Sequence, residues 1–260
     1  MDGAIVHFYP GEYFMNMRIV GILGVLAASG AHADGWSGKG EAGFLLSRGN
    51  AESTSANAKI DLANEMGPWK NSVFFGGLYG KTGEFASAQR LEGRYQLDRK
   101  LTDKMFWFGA LRAEQDKFSG FSYQASLATG LGYKFIDTDS TKLTGIAGVG
   151  YARLRPQQLI KDTAGAVIDR IKGDATGSAI ATAGFNLEQK LTSNTKLIDK
   201  FLVETGSKNT STMNDLSLQV AMSDAFALSA GYGVRYNTKP AAGSKKIDQL
   251  TTLNLVYNFK

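Results

Sequence analysis

The chain has 260 residues, with 29 Lys and Arg against 24 Asp and Glu for a formal charge of +5, and it contains 31 Gly, 4 Pro and no Cys. The missing thiol excludes disulfide frameworks, thiolate catalysis and cysteine-based metal sites; the even mixing of basic with acidic residues lacks the clustered stripe of a nucleic-acid surface, so no nucleic-acid partner is expected. No stretch is apolar for the ~20 residues that a membrane-spanning helix needs, and abundant Gly beside 10 Tyr and 15 Phe favours strands over helices.

The first element in chain order is an export signal. Arg18 supplies a short basic region, IVGILGVLAASG (residues 19–30) an apolar stretch too short to span a membrane, and Ala31-His32-Ala33 the small residues that a signal peptidase requires. A buried helix opening a soluble domain is the other reading, but the polar, Gly-rich DGWSG that follows at once gives such a helix no reason to end there. Cleavage is expected before Asp34, with residues 1–14 as an upstream extension, so that 1–33 are lost and 34–260 form one domain. Both histidines, His7 and His32, go with the removed piece.

From residue 38 the dominant hydrophobic period is two. In the clearest segment, Phe226, Leu228, Ala230, Tyr232, Val234 and Tyr236 alternate with Ala227, Ser229, Gly231, Gly233, Arg235 and Asn237. The pattern predicts twelve strands at 38–48, 53–63, 69–81, 87–99, 104–116, 121–135, 140–155, 174–190, 195–207, 211–222, 225–236 and 246–259. Most exceed the ~5–6 residues usual in soluble sheets and match the ~9–11 that cross a bilayer at a tilt. The links alternate. Those at 65–68, 102–103, 137–139, 192–194 and 223–224 are tight, whereas those at 49–52, 82–86, 117–120, 156–173, 208–210 and 238–245 are longer and more polar. Short turns at one end and longer loops at the other are the habit of an outer-membrane barrel, and an even strand count puts both termini at the short-turn, periplasmic end. The longest loop alternates on both sides of DTAG (162–165), so its two strands are expected to extend beyond the membrane.

The polar faces carry Gly, Ser, Ala, Asn and Gln with both signs of charge at intervals. That composition suits a crowded, wet interior rather than the densely charged surface of a soluble sandwich. In hydrocarbon no strand edge can remain unpaired, so such a sheet must close. Aromatics near strand ends (Trp69, Trp107, Phe135, Tyr236, Tyr257 and Phe259) fit interfacial girdles. The expected fold is therefore all-β: a transmembrane, up-and-down antiparallel β-barrel of about twelve strands. A soluble periplasmic β protein is the alternative architecture.

The same alternation places Lys59, Asp61, Arg90, Glu92, Arg94, Arg112, Glu114, Lys134, Glu188, Lys200, Glu204 and Arg235 on inward faces as candidate lumen-lining residues. Basic residues slightly outnumber acidic ones there, a weak pointer to anion preference. No catalytic site is expected. A mature chain without His lacks the usual near-neutral proton-transfer base, and a Ser-Lys or paired-carboxylate scheme through Glu92, Glu114, Glu188 or Glu204 is the enzymatic option left. An ionic network is the better reading, because charges away from bulk water need partners or trapped water. The Gly-rich run at 145–150 lies inside an alternating strand with no following helix, so it is not a nucleotide loop. No cofactor or metal is expected.

The closing strand, LTTLNLVYNFK (250–260), is similar to the C-terminal assembly signal of bacterial outer-membrane proteins, departing from it in that Lys260 follows the aromatic Phe259. With GKGEAGFLLSRGN (38–50), GFSYQ and GLGYKF within 119–135, and the closing LNLVYNF, the chain over 36–259 resembles the salt-induced outer-membrane protein family (YdiY-like, domain of unknown function 481). That resemblance implies an outer-membrane location and a role in salt or alkaline stress, and it brings no catalytic motif. The expected partners are outer-membrane lipid and lipopolysaccharide, the barrel-assembly machinery through the C-terminal strand, and small ions or solutes. Two functional classes stay open: a narrow channel for ions or small polar solutes, and a closed structural or interaction barrel without transport. A twelve-stranded barrel falls between the filled and the open types, so strand number does not decide between them.

Overall fold

The computed structural model describes residues 35–47, 53–163, 165–242 and 244–259; the expected signal and upstream extension lie outside the described residues. Alternating sequence becomes thirteen strands: β1 (Trp36–Ser47), β2 (Ser53–Met66), β3 (Trp69–Thr82), β4 (Phe85–Lys100), β5 (Met105–Asp116), β6 (Phe121–Asp137), β7 (Thr141–Lys161), β8 (Val167–Lys172), β9 (Thr176–Lys190), β10 (Thr195–Gly206), β11 (Thr210–Ala221), β12 (Phe226–Asn237) and β13 (Ile247–Phe259). All but β8 form one antiparallel ring in chain order, closed where β1 meets β13 from Gly38↔Phe259 to Ala42↔Leu255. The fold is a closed twelve-stranded up-and-down barrel.

β8 pairs only with the outer part of β7, from Gln157↔Lys172 to Lys161↔Val167. The hairpin expected within the 156–173 loop is thus a two-stranded extension beyond the ring. One loop expectation needs correcting. The link at 82–86 is not long: Gly83, at φ 59°, makes a two-residue turn with Glu84, and β3 and β4 run on into it. A positive φ costs glycine nothing, which is what lets so short a hairpin form.

The twist of burial is inverted relative to a soluble domain. Glu92, Arg112, Glu114, Gln124, Glu204, Gln219 and Asn254 are buried, while Leu111 is 52% exposed, Leu127 58% and Leu253 69%. Cross-strand pairs repeat this parity around the wall: Tyr95↔Leu111↔Leu127↔Tyr151 all point outward, and Arg94↔Arg112↔Ser126↔Ala152 inward. In water an exterior of this kind would be an aggregation surface; in hydrocarbon it is the solvated face. At the short-turn end Tyr133 meets Phe135 edge-on at 5.1 Å, and Tyr257 lies 5.2 Å from Phe226 and 6.2 Å from Phe259.

Because Leu111 sits mid-strand on the outward face, Leu111→Arg should destabilise the barrel by about 2–4 kcal/mol, the range for a cation at the bilayer midplane. Urea unfolding in lipid vesicles measures this; unchanged stability would contradict the outward assignment.

Candidate functional site: an ion-paired lumen

Period-two alternation points Arg90, Glu92 and Arg94 from β4 and Arg112 and Glu114 from β5 into the ring. Their register opposes like with like, Arg94↔Arg112 and Glu92↔Glu114. Direct like-charge opposition is unfavourable, and the side chains resolve it by pairing along each strand and across one diagonal. Arg94 Nε lies 3.2 Å and Arg112 Nε 3.7 Å from Glu92 Oε1, and Arg112 donates to Glu114 Oε2 at 2.6 Å. The Arg94 guanidinium also stacks 3.9 Å from the centre of the Phe74 ring.

Other contacts run across the interior rather than along the wall. Arg112 of β5 reaches Glu204 of β10 at 3.4 Å, and Ser126 of β6 donates to the other oxygen of Glu204 at 2.6 Å. Arg235 of β12 approaches Glu92 of β4 at 3.8 Å while holding both oxygens of Asp215 at 3.0 Å. Lys200 of β10 donates to Asp61 of β2 at 3.3 Å. Apart from Arg235–Asp215, which joins the neighbours β12 and β11, the partners belong to strands that are not neighbours in the ring. Arg112 is the hub, in contact with Glu92, Glu114 and Glu204, and its side chain is 6% exposed.

This bridge divides the interior. On the side of β1–β4 and β10–β13 lies a cavity of about 310 Å³, lined by Lys59, Asp61, Arg90, Glu92, Arg94, Lys200 and Arg235 among others; a second pocket of about 20 Å³ lies beside Arg112 and Glu204, among β5–β7 and β9–β11. The charged lining of the larger cavity is balanced: Lys39, Lys59, Arg90, Arg94, Lys200 and Arg235 against Glu41, Asp61, Glu92, Asp116, Asp215 and Asp248. The basic excess expected from sequence is absent from this lining, because Arg112 and Lys134 are not part of it and four of these acids were not among the candidates. Lys39 bonds Glu41 at 2.6 Å, and Asn254 donates to the second Glu41 oxygen at 3.2 Å. Lys39, Glu41 and Asp215 share the inward parity of residues that were recognised, so extending the alternation a few positions would have found them. Asp116 and Asp248 fall at strand ends, where alternation carries less information.

Two candidates stand apart. Lys134 pairs with Asp137 at 3.2 Å and Glu188 with Lys196 at 3.6 Å, both exposed pairs at the short-turn end. Lys59 and Arg90 line the cavity with no carboxylate within 4.0 Å among the described residues.

The long-loop end is narrowed as well. The 238–246 link folds towards the β5–β6 loop, where a Cβ on Gly120 would lie 2.8 Å from Pro240 Cβ. Asn209 anchors its base, donating to Asn237 Oδ1 at 2.7 Å and accepting from the Lys239 backbone N–H at 3.1 Å. The β7–β8 extension leans on the same β5–β6 loop through Arg170, which donates to the Lys117 carbonyl at 2.8 Å and covers the Phe118 ring.

Chemically, this is an ion-paired cluster. The three carboxylates that converge, Glu92, Glu114 and Glu204, all face Arg112, and Ser126 donates to a carboxylate rather than approaching a lysine. Among the described residues there is no group of three or more His, Cys, Asp or Glu arranged to hold a metal ion.

The family described as "Protein of unknown function, DUF481" matches residues 40–259, nearly the whole barrel. The chain belongs to this family. A relative, "Uncharacterized protein YdiY" of Escherichia coli (strain K12), is 25% identical over 231 residues, covering 86% of this chain and 83% of the relative. Among solved structures, the chain is similar to the translocator domain of the autotransporter NalP from Neisseria meningitidis, with 13% identity, TM-score 0.47, and 95% and 96% of the two chains covered. It is also similar to the NanC porin, with 11% identity, TM-score 0.46, and coverage of 86% and 99%. A third is the KdgM porin in complex with disordered oligogalacturonate, with 7% identity, TM-score 0.42, and coverage of 86% and 98%.

Arg112→Leu leaves three buried carboxylates around an apolar side chain and should cost about 3–5 kcal/mol, the usual penalty for removing one partner of a buried pair. Lys134→Gln, which breaks an exposed pair, should fall within about 1 kcal/mol of the parent. Denaturant titration of both variants in vesicles compares them, and equal effects would contradict the hub role of Arg112.

Proposed function

We propose that this DUF481 protein is an outer-membrane barrel whose lumen is a narrow passage for ions and small polar solutes, held nearly shut by the Arg112 cluster. The observation that carries this reading is the cavity of about 310 Å³ that meets a bridge of ion pairs instead of an apolar plug. A scaffold needing only to be filled would do so with apolar side chains, since a buried ion pair is weak evidence of stabilisation. Charged groups that face a cavity can exchange partners with passing ions, so the wall suits conduction. The balanced lining favours small ions of either sign and zwitterionic solutes over strong anion selection.

Export through the signal at 15–33, insertion through recognition of the strand ending at Phe259, and the short-turn end facing the periplasm belong to the same proposal. So does a role in salt or alkaline stress, which rests on the family resemblance alone. The second reading, a closed barrel acting through its exterior or loops, is favoured by one observation: the Arg112–Glu204 contact and the 238–246 link together restrict the interior at two levels.

Planar-bilayer recording separates the two. The wild-type protein should give small openings, and the paired change Arg112→Ala with Glu204→Gln should raise unit conductance several-fold by removing the bridge. Silence from folded wild type and folded variant alike would support the closed barrel and overturn the channel.

A further inference from the structure

The outward face of β7 passes from hydrocarbon into the headgroup layer. Ala147, Val149 and Tyr151 are exposed along it, and the next two outward positions are Arg153 and Arg155. Leu154, between them, is buried in the interior. Arg153 stands twelve residues beyond Thr141, about 30 Å from the short-turn end at roughly 3.3 Å per residue and a tilt near 40°. The apolar band of such a barrel is about 25 Å tall, so both guanidinium groups lie just above it.

Neither arginine is fully engaged within the chain. Arg153 has no hydrogen bond or ion pair among the described residues, and Arg155 donates only from Nε, to the Gly173 carbonyl at 2.9 Å. That bond fixes the Arg155 fork while its two terminal nitrogens keep their donors. Tyrosines flank the pair. Tyr123 of β6 is directly across from Arg155, and Tyr151, two residues below Arg153, is 56% exposed. Opposite Arg153, β9 has Gly177, where a Cβ would collide with the Tyr151 hydroxyl, so that side chain leans over β9 at this level. Lower on β9 the outward residues are Ala179, Ala181 and Ala183, a shallow track along the wall.

We propose that Arg153 and Arg155 form the headgroup site of a phosphorylated lipid, its phosphate held by the two guanidinium groups and an acyl chain lying along the alanines of β9. A planar guanidinium donates parallel hydrogen bonds to phosphate oxygens. Successive outward positions are about 7 Å apart along a strand, a gap that two long side chains close around one phosphate. The tyrosine hydroxyls add donors at the boundary where such rings sit. A free phosphate uses the arginines alone, whereas a lipid also uses the track beneath them. The inference rests on the reading of this chain as an outer-membrane barrel with its long loops outward, which makes the lipid the lipopolysaccharide of the outer leaflet. It is independent of whether the lumen conducts.

Native mass spectrometry of the purified full-length barrel in detergent, with lipid A as the probe, tests this. Wild type should retain one lipid A about tenfold more than dephosphorylated lipid A, as expected for two cations acting on a phosphate. Arg153→Gln with Arg155→Gln should remove that preference. Lys81→Gln, which deletes an exposed cation near the long-loop end of β3, should keep it. Unboiled gel migration checks that each barrel is folded. If the double variant misfolds, wild type alone decides, through lipid A against its dephosphorylated form. Equal retention of those two by wild type overturns the proposal, because a cation that only anchors the wall needs no phosphate. So does equal loss in the Lys81→Gln and double-arginine variants, or displacement of lipid A by an equal concentration of inorganic phosphate, which would make this a site for the free ion. A chain that stays monomeric in water without detergent would overturn the membrane reading along with the site.

Discussion

In hydrocarbon a backbone N–H or C=O has no partner except another part of the chain, and each one left unpaired costs several kcal/mol. An antiparallel sheet meets that demand only by returning to its own first strand, as β13 does by pairing with β1. Once the ring is closed, strict alternation sends one set of side chains into a confined interior and the other into lipid. Everything particular about this protein follows from which residues fall in the first set. Closure brings together groups remote in sequence: Arg112 and Glu204 are 92 positions apart, Asp61 and Lys200 139, and Glu41 and Asn254 213.

The ion pairs across the interior have a second consequence. A strand slipped by one residue would turn its entire inward set onto the lipid face, carrying Arg90, Glu92 and Arg94 out of reach of their partners. Charges inside the ring thus penalise wrong registers more severely than an apolar filling would, even where each pair adds little to the stability of the correct one. The same arrangement keeps the interior responsive. Arg112 has three carboxylates within 4.0 Å and Glu92 has three guanidinium groups, so partners can be exchanged without stranding a charge.

Much of this was legible in the sequence, because period two is a strong signal over strands of twelve residues or more. The strand order and inward parity of Arg112, Glu114 and Glu204 needed only alternation and the rule that membrane sheets close. Strand ends were less legible. The turn at Gly83 was read as a longer loop, since polarity suggests a link without setting its length. Lys39, Glu41 and Asp215 were passed over although their parity was available. The contact between Arg112 and Glu204 was beyond the sequence altogether, because alternation tells which side of the wall a residue takes but not which opposing residue it meets. That depends on shear and on how far each side chain reaches across the ring.

Non-neighbouring strands are tied across the interior through Arg112 and Glu204. A double-mutant cycle on folding stability in vesicles, using Arg112→Gln, Glu204→Gln and the pair, measures that contact directly, since the cycle isolates the term the two residues share. The account predicts a coupling of about 1–3 kcal/mol, the range for contacting members of one ionic network. Additive single changes, with no coupling beyond experimental error, would mean that the two side chains do not meet and that the interior is open where the structure closes it.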